Sequence, residues 1–125
     1  MTARTGKTRD GRDSWRCLEN TGRRRFLVVE SDTGTKPEQA AILARLAKLW
    51  DAIPLVLVVD SAGKSLHGWF DVRNVSERRT RLWFEMAVML GADPHTWTRC
   101  QWVRMPGGTR LFGDGTTKRQ EILTW

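Results

Sequence analysis

Residues 54–72 read PLVLVVDSAGKSLHGWFDV, and this stretch decides the fold. Residues 55–59 are an uninterrupted apolar, largely β-branched run, which predicts a fully buried strand. The short segment SAGK, residues 61–64, is typical of a turn. Residues 65–72 alternate well enough to predict another strand that pairs antiparallel with the first. A hairpin is therefore expected at the centre of the chain.

A strand and a helix are predicted before this hairpin. Residues 25–32, RFLVVESD, are rich in β-branched and aromatic side chains and predict a buried strand that ends in two carboxylates. Thr35 and Glu38 form the pattern of a capping box, with Pro37 tolerated in the first turn of the helix. Pro54 ends this helix. Its predicted apolar stripe consists of Ile42, Leu43, Leu46, Leu49 and Trp50.

A second helix and two further strands are predicted after the hairpin. The helix covers residues 76–90 and ends at Gly91, with Leu82, Met86, Met89 and Leu90 expected to face inward. Residues 100–105, CQWVRM, and residues 119–125, RQEILTW, are the predicted strands. The order β-α-β-β-α-β-β indicates an α+β fold of the ferredoxin-like or RRM-like type. This fold has a split β-α-β core and an antiparallel sheet with both helices on one face.

The 125 residues correspond to one domain with a net charge of +7 that is unevenly distributed. Residues 1–25 carry eight Lys and Arg against three acids, whereas the rest carries thirteen against eleven. We therefore expect residues 1–24 to be a basic, flexible arm and residues 25–125 to be the folded core. Such an arm commonly meets a polyanion, which makes Arg23, Arg24 and Arg25 candidate nucleic-acid contacts.

Several classes of protein are disfavoured by composition. No apolar stretch approaches the roughly 20 residues that span a bilayer, and no apolar segment follows the basic start, so a cytoplasmic protein without a membrane partner is expected. The two cysteines, Cys17 and Cys100, lie far apart without C-x-x-C spacing. Neither a zinc site nor a disulfide framework is therefore indicated.

The segment AGKS matches the end of a phosphate-binding loop, but its context does not fit one. That loop needs a glycine at the position of Val58, which lies inside a predicted strand. It also needs a helix directly after Lys64 and Ser65, where a strand is predicted instead. A different role is therefore expected for these residues.

Side chains on one face of a strand recur at every second residue, so Ser65 and His67 share a face, as do Glu30 and Asp32. The first and third strands of a split β-α-β sheet are neighbours, which brings the two pairs side by side. Two carboxylates at i and i+2 repel each other but suit Mg²⁺ or Mn²⁺. Lys64 would add a hydrogen-bond donor for a bound phosphate. A solvated acidic strand end, with Lys64 as a turn residue, is the simpler interpretation.

Three motifs resemble those of the archaeo-eukaryotic primase superfamily, particularly the replication primases and primase-polymerases of phages and plasmids. Glu30-Ser31-Asp32 is similar to its acidic motif and Ser65-Leu66-His67 to its Ser-x-His motif. The third motif is matched in order and approximate spacing by Asp93, Trp97, Arg99 and Arg104. The resemblance covers roughly residues 25–125, with AG where many relatives have two glycines and Glu30 where Asp is common.

The resemblance implies a primase or polymerase that transfers NTP or dNTP onto a 3′-hydroxyl on a single-stranded DNA template. It implies a two-metal site of Mg²⁺ or Mn²⁺ held by the catalytic carboxylates Glu30, Asp32 and Asp93. The implied nucleotide-binding residues are Lys64, Ser65, His67, Arg99 and Arg104. A replicative helicase or a replication-initiator domain on another chain is the implied protein partner.

Two other functions remain open from the sequence. One is a non-catalytic, RRM-like module that binds single-stranded nucleic acid, although such modules usually place paired aromatics on the two central strands, where Glu30 and His67 stand here. The other is a regulatory ferredoxin-like domain with no metal response. A rolling-circle nicking enzyme is disfavoured because the chain has no tyrosine and because His67 and His95 are far apart.

Overall fold

The computed structural model describes residues 6–15 and 17–123. This part of the chain contains two α-helices, α1 Lys36–Ala47 and α2 Glu77–Met89. Neither has the length and apolar composition needed to cross a bilayer. The strands are β1 Gly6–Lys7, β2 Asp13–Ser14, β3 Phe26–Glu30, β4 Leu55–Asp60, β5 Leu66–Asp71, β6 Thr109–Leu111, β7 Thr117–Arg119 and β8 Ile122–Leu123. Short 3₁₀ turns occupy Leu18–Asn20 and Pro94–Trp97.

Four strands form the central antiparallel sheet in the order β3-β5-β4-β8. Strand β5 pairs with β3 on one side and with β4 on the other. The succession β3-α1-β4-β5-α2 is the split β-α-β arrangement, so the predicted α+β fold with an antiparallel sheet is confirmed. Strand β8 closes the sheet beside β4. Among the described strands, β3 is therefore an edge.

Both helices pack on one face of the sheet, through successive inward positions of β5. Leu43 of α1 packs so closely on Gly68 that an added Cβ would lie 2.5 Å from its Cδ2 atom. Trp83 of α2 packs on Phe70 with 4.6 Å between ring centroids. Because Gly68 and Phe70 point to the same side of β5, the opposite side carries no helix of the described part of the chain, and we call it the helix-free face.

The capping box of α1 is confirmed. The side chain of Thr35 accepts a hydrogen bond from the Glu38 N–H, and the Glu38 carboxylate accepts one of 2.7 Å from the Thr35 N–H. The N–H and hydroxyl of Thr35 hold the pKa of Glu38 below its ordinary value. Pro37 lies in the first turn, where its missing N–H costs nothing.

The predicted inward face of α2 was wrong for two of its four residues, whereas Met86 and Leu90 are partly buried and pack against the core. Leu82 is 51% exposed and Met89 is 86% exposed. The buried residues are instead Thr80, Trp83, Phe84 and Ala87. The helix is rotated because burial of two large aromatic side chains removes more apolar surface from water than burial of Leu and Met on the neighbouring face.

The carboxyl-terminal strands also differ from prediction. Residues 100–105 form no strand, and residues 101–104 cross the helix-free face of the sheet, where Val103 lines cavities together with side chains of β3 and β5. Strands β6 and β7 pair with each other as a separate hairpin. The closing strand is confirmed only at Ile122–Leu123. The path of residues 101–104 is determined by the packing of their side chains on the sheet face. This is a tertiary effect, which local strand propensity does not indicate.

The segment predicted to be a flexible arm has regular structure in its described part. Strands β1 and β2 form a hairpin whose turn is closed by the Thr8 N–H, which donates 2.8 Å to the Arg12 carbonyl. The Cys17 side chain lies against Gly6 and is buried. Residues 1–5 and Arg16 lie outside the described residues, as do positions 124–125 of the predicted closing strand.

Lys36 at the start of α1 binds Asp60 at the end of β4, with 2.6 Å between Nζ and Oδ2. Burial of Asp60 opposes its ionisation, but Lys36 and the Ala62 N–H together hold its pKa below the ordinary value. This pair ties the first helix to the end of the strand that precedes the SAGK turn.

We expect the Asp60→Asn variant to lose about 1 kcal/mol of stability near neutral pH, because Asn keeps the bond to the Ala62 N–H but not the charge. The folded-state pKa lies below the unfolded-state value, so this contribution is present above about pH 4 and is lost as the pH falls through the folded-state pKa. Urea unfolding of both proteins across this range measures the difference. A difference that does not change with pH would contradict the charge-based account.

Candidate active site

Glu30 and His67 are directly opposite each other on β3 and β5, on the helix-free face of the sheet. Opposite residues of an antiparallel pair share one face, as the alternation of the two strands predicts. Nε2 of His67 lies 2.6 Å from Oε2 of Glu30, so this nitrogen donates to the carboxylate. Ser65 Oγ lies 3.2 Å from the same nitrogen and 3.2 Å from Ser61 Oγ. The imidazole is thereby fixed in orientation.

The other nitrogen of the His67 ring is unusual. The side chain is only 5% exposed, and Nδ1 has no hydrogen-bond partner among the described residues. A buried polar atom without a partner is uncommon in folded proteins and calls for an explanation. Arg24 Nε, Trp69 Nε1 and Trp83 Nε1 share this property among the described residues, so Nδ1 does not by itself indicate a ligand.

A cavity of about 610 Å³ opens above this pair, a size typical of small-molecule sites. Six of the predicted site residues line it: Glu30, Asp32, Lys64, Ser65, His67 and Arg104. The remaining lining residues are Ser61, Gly63, Trp102, Val103, Arg110 and Phe112. The cavity therefore joins two carboxylates from the end of β3 with three cationic side chains from loops and from β6.

Arg110 is a cavity residue that the sequence analysis did not predict. It belongs to β6, and its guanidinium lies 5.0 Å from the Phe112 ring centroid. A Cβ added to Gly63 would lie 2.3 Å from Nη1 of Arg110, so the absence of a side chain at position 63 makes room for this cation. The turn after β4 and the β6–β7 hairpin thus meet at the cavity.

A sequence signal for this hairpin was present. Asp114-Gly115 is among the strongest dipeptide signals for a tight turn between two strands. Gly115 adopts a φ of 83°, in the left-handed region that favours glycine, and Asp114 Oδ1 accepts a hydrogen bond from the Thr116 N–H. Weighting this dipeptide would have predicted the hairpin that carries Arg110.

Asp93 does not line the cavity. Its backbone N–H donates 2.8 Å to the Glu30 carbonyl, so the residue is close to the end of β3. Its carboxylate instead caps the following 3₁₀ turn, accepting from the His95 N–H at 2.9 Å and lying 2.8 Å from the His95 ring. Burial opposes ionisation of Asp93, but these contacts hold its pKa below the ordinary value.

The carboxylates fit only one mode of metal binding. In the described residues, no group of three His, Cys, Asp or Glu side chains is arranged to hold a metal ion. Mg²⁺ is commonly bound by one or two carboxylates together with waters and substrate phosphates, without a full cage of protein ligands. Glu30 and Asp32, which share a cavity with three cations, fit this mode, whereas Asp93 does not contribute to it.

The remaining predicted contacts lie elsewhere on the protein. Arg99 and the exposed residues Arg23 and Arg25 line a second cavity of about 270 Å³, away from Lys64 and Arg104. Arg24 has a different environment from its neighbours. Its side chain is buried, donates 2.7 Å to the Trp97 carbonyl and lies 3.3 Å from Glu77.

Arg24 is therefore a structural cation and not the surface contact that the sequence predicts. Burial lowers the pKa of its guanidinium, and the hydrogen bond and charge of Glu77 oppose this shift. The guanidinium carbon also lies 4.3 Å from the Trp97 ring centroid. The chain was expected to present three neighbouring arginines to a polyanion, but the structure presents Arg23 and Arg25.

No family model matches the chain, and no curated protein or solved structure gives a significant match. A functional assignment consequently depends on the chemistry of the cavity. That chemistry is defined by the acidic pair Glu30 and Asp32, the oriented imidazole of His67, and the cations Lys64, Arg104 and Arg110.

Proposed function

We propose that the protein is a primase- or polymerase-type nucleotidyltransferase, which adds an NTP or dNTP to a 3′-hydroxyl on a single-stranded DNA template in phage or plasmid replication. One observation carries this proposal. Two carboxylates and three cations line the same cavity, beside a buried histidine that both a carboxylate and a serine orient. A divalent metal with a triphosphate would complement both signs of charge.

Glu30 and Asp32 are the residues that would hold Mg²⁺ or Mn²⁺. Such ions neutralise the charge that develops on the phosphates and on the attacking and leaving oxygens. Lys64, Arg104 and Arg110 would bind phosphate oxygens, and the planar guanidinium groups can donate two parallel hydrogen bonds each. The protein thereby supplies positioning and charge compensation, which is most of what phosphoryl transfer requires.

His67 has a positioning role in this proposal. Glu30 and Ser65 orient its ring through Nε2. Because Nε2 donates to Oε2 of Glu30, the ring in turn holds this carboxylate at the cavity, where it would bind the metal.

A second candidate function is a non-catalytic module that binds single-stranded nucleic acid. Asp93, the third carboxylate implied by the resemblance, points to His95 and is not part of the cavity. This observation favours binding without chemistry. The two candidates differ in whether the protein forms product.

Incorporation of a labelled nucleotide on a single-stranded template, with Mg²⁺ or Mn²⁺ and with or without a primer, separates the two functions. Metal-dependent product is expected, and its requirement for a primer distinguishes a polymerase from a primase. Template binding without product, in either metal, would overturn the catalytic proposal and support the binding module.

The contact between Gly63 and Arg110 gives a test of the phosphate-binding role. The Gly63→Ala variant should bind nucleotide about tenfold more weakly, because the added methyl displaces a guanidinium whose charged hydrogen bond is worth about 1.5 kcal/mol or more. Folding stability should change little, since the end of a flexible side chain moves away easily.

A double-mutant cycle checks this mechanism. Arg110→Ala should weaken nucleotide binding by a similar factor, and adding Gly63→Ala to it should cause no further loss. Additive losses would mean that Gly63 acts on the cavity by another route. Nucleotide titrations of the three variants and the wild type give all four affinities.

A further inference from the structure

A second surface on the helix-free face of the sheet combines aromatic and cationic side chains. Phe26 of β3 and Trp69 of β5 lie on this face, with 5.9 Å between ring centroids in an edge-to-face arrangement. Phe26 is 39% exposed although it is a large aromatic residue in a strand. The edge strand β3 and its neighbour β5 therefore carry an aromatic pair, four residues from Glu30 on β3 and two residues from His67 on β5.

Arginines surround this aromatic pair. Arg23, Arg25 and Arg99 are exposed and line the same cavity of about 270 Å³ as Phe26 and Trp69. Among the residues that the structure describes, no acidic side chain lines that cavity. Arg73 lies 5.8 Å from the Phe26 ring centroid, but Asp71 neutralises it. We refer to Phe26, Trp69, Arg23, Arg25 and Arg99 as the aromatic–arginine platform.

We propose that the aromatic–arginine platform binds unpaired bases and phosphates of single-stranded nucleic acid. Bases of any sequence stack on aromatic rings, and arginines neutralise the backbone beside them. A duplex hides the faces of its bases, so an exposed ring next to unopposed arginines suits a single strand better. Binding of a single strand by the platform does not depend on the proposed catalytic function. Only the identification of this strand as the template rests on the proposed function.

The platform is continuous with the candidate active site. Phe26 and Glu30 are four residues apart on the same face of β3, which corresponds to about 13 Å along an extended strand. Val103 lines both cavities and lies between them. The platform therefore adjoins the cavity that contains the carboxylates, with Val103 at the boundary.

The test measures binding of a fluorescently labelled oligothymidylate by anisotropy, in chelator and without nucleotide, so that the metal site does not contribute. An abasic oligonucleotide of the same length retains the phosphates and lacks the bases. The Phe26→Leu variant should bind oligothymidylate about tenfold more weakly, because each stacked base contributes substantially to affinity. It should bind the abasic strand as the wild type does, and Phe26→Tyr, which keeps a ring, should bind oligothymidylate nearly normally.

The arginines are tested by salt dependence. Arg25→Ala and Arg99→Ala should each reduce the slope of log affinity against log salt by about 0.7, the value for one lost contact with a single strand. Arg45→Ala is the matched control, because Arg45 is exposed on α1, on the other side of the sheet. It removes the same charge and should leave both affinity and slope unchanged.

Either of two results would overturn the proposed role of the platform. The Phe26→Leu variant could bind oligothymidylate with wild-type affinity, or it could lose the same factor of affinity for oligothymidylate and for the abasic oligonucleotide. Tighter binding of duplex than of single strand by the wild type would overturn it too. Nucleotide binding to the wild type in Mg²⁺ is measured separately. Its absence, with the strand bound as expected, would reject the proposed catalytic function and leave the platform intact.

Discussion

Replacing both cavity carboxylates by their amides, Glu30→Gln with Asp32→Asn, should lower metal-dependent nucleotide incorporation by about a hundredfold or more. Both residues would anchor the divalent ion, whose stabilisation of the transferred phosphate is worth several kcal/mol, and each 1.36 kcal/mol corresponds to a factor of ten in rate. Gln at position 30 keeps an oxygen near Nε2 of His67, so the strand pairing should be little disturbed. Initial rates of incorporation measure this effect.

Asp51→Asn provides the control for loss of negative charge. Asp51 is exposed after the end of α1 and does not line the cavity. Incorporation by this variant should match that of the wild type. If the double amide variant were as active as the wild type, both in Mg²⁺ and in Mn²⁺, these carboxylates would not be the metal anchors and the proposed mechanism would be wrong.

The Gly68→Ala substitution should lower the free energy of unfolding by about 1–3 kcal/mol, the usual cost of overpacking a well-filled core. Its new Cβ would lie 2.5 Å from Leu43 Cδ2 and 3.1 Å from Phe70 Cε2, so α1 would have to move away from the sheet. Gly68 directly follows His67, and the glycine is what allows the helix to pack behind the candidate active site. Urea unfolding, followed by far-ultraviolet circular dichroism, measures the loss.

Gly113→Ala is the matched control for this substitution. A Cβ at position 113 would contact nothing within 4 Å, and the backbone there does not require a positive φ. Both variants lose the same glycine freedom in the unfolded chain, so that contribution cancels in the comparison. Equal stability of the two variants would mean that the close contact between α1 and the sheet does not constrain the fold.

The central part of the fold could be predicted because its signals are local. The predicted strands at residues 25–32, 55–59 and 65–72 overlap the observed β3, β4 and β5. The capping box at Thr35 located the start of α1. Alternation along β3 and β5 also placed Glu30 and His67 on one face, because side-chain direction in a strand depends only on sequence parity.

The parts that could not be predicted depend on tertiary packing. The inward face of α2 follows Trp83 and Phe84, whose contacts with Phe70 and Trp97 no local pattern reveals. Residues 101–104 have a strand-like composition but cross the sheet face, which brings Val103 and Arg104 over the site. Burial of Arg24 likewise depends on Glu77, which is distant in sequence.

The most direct test of the central claim is calorimetric titration of the protein with a non-hydrolysable nucleoside triphosphate, in Mg²⁺ and in chelator. The account predicts binding that requires the metal and is lost in the Glu30→Gln, Asp32→Asn variant. Absence of binding by folded wild-type protein in Mg²⁺ would contradict the account. Binding of equal strength in chelator, or in the double variant, would contradict it as well, because the cavity would then recognise the nucleotide without a metal held by these carboxylates.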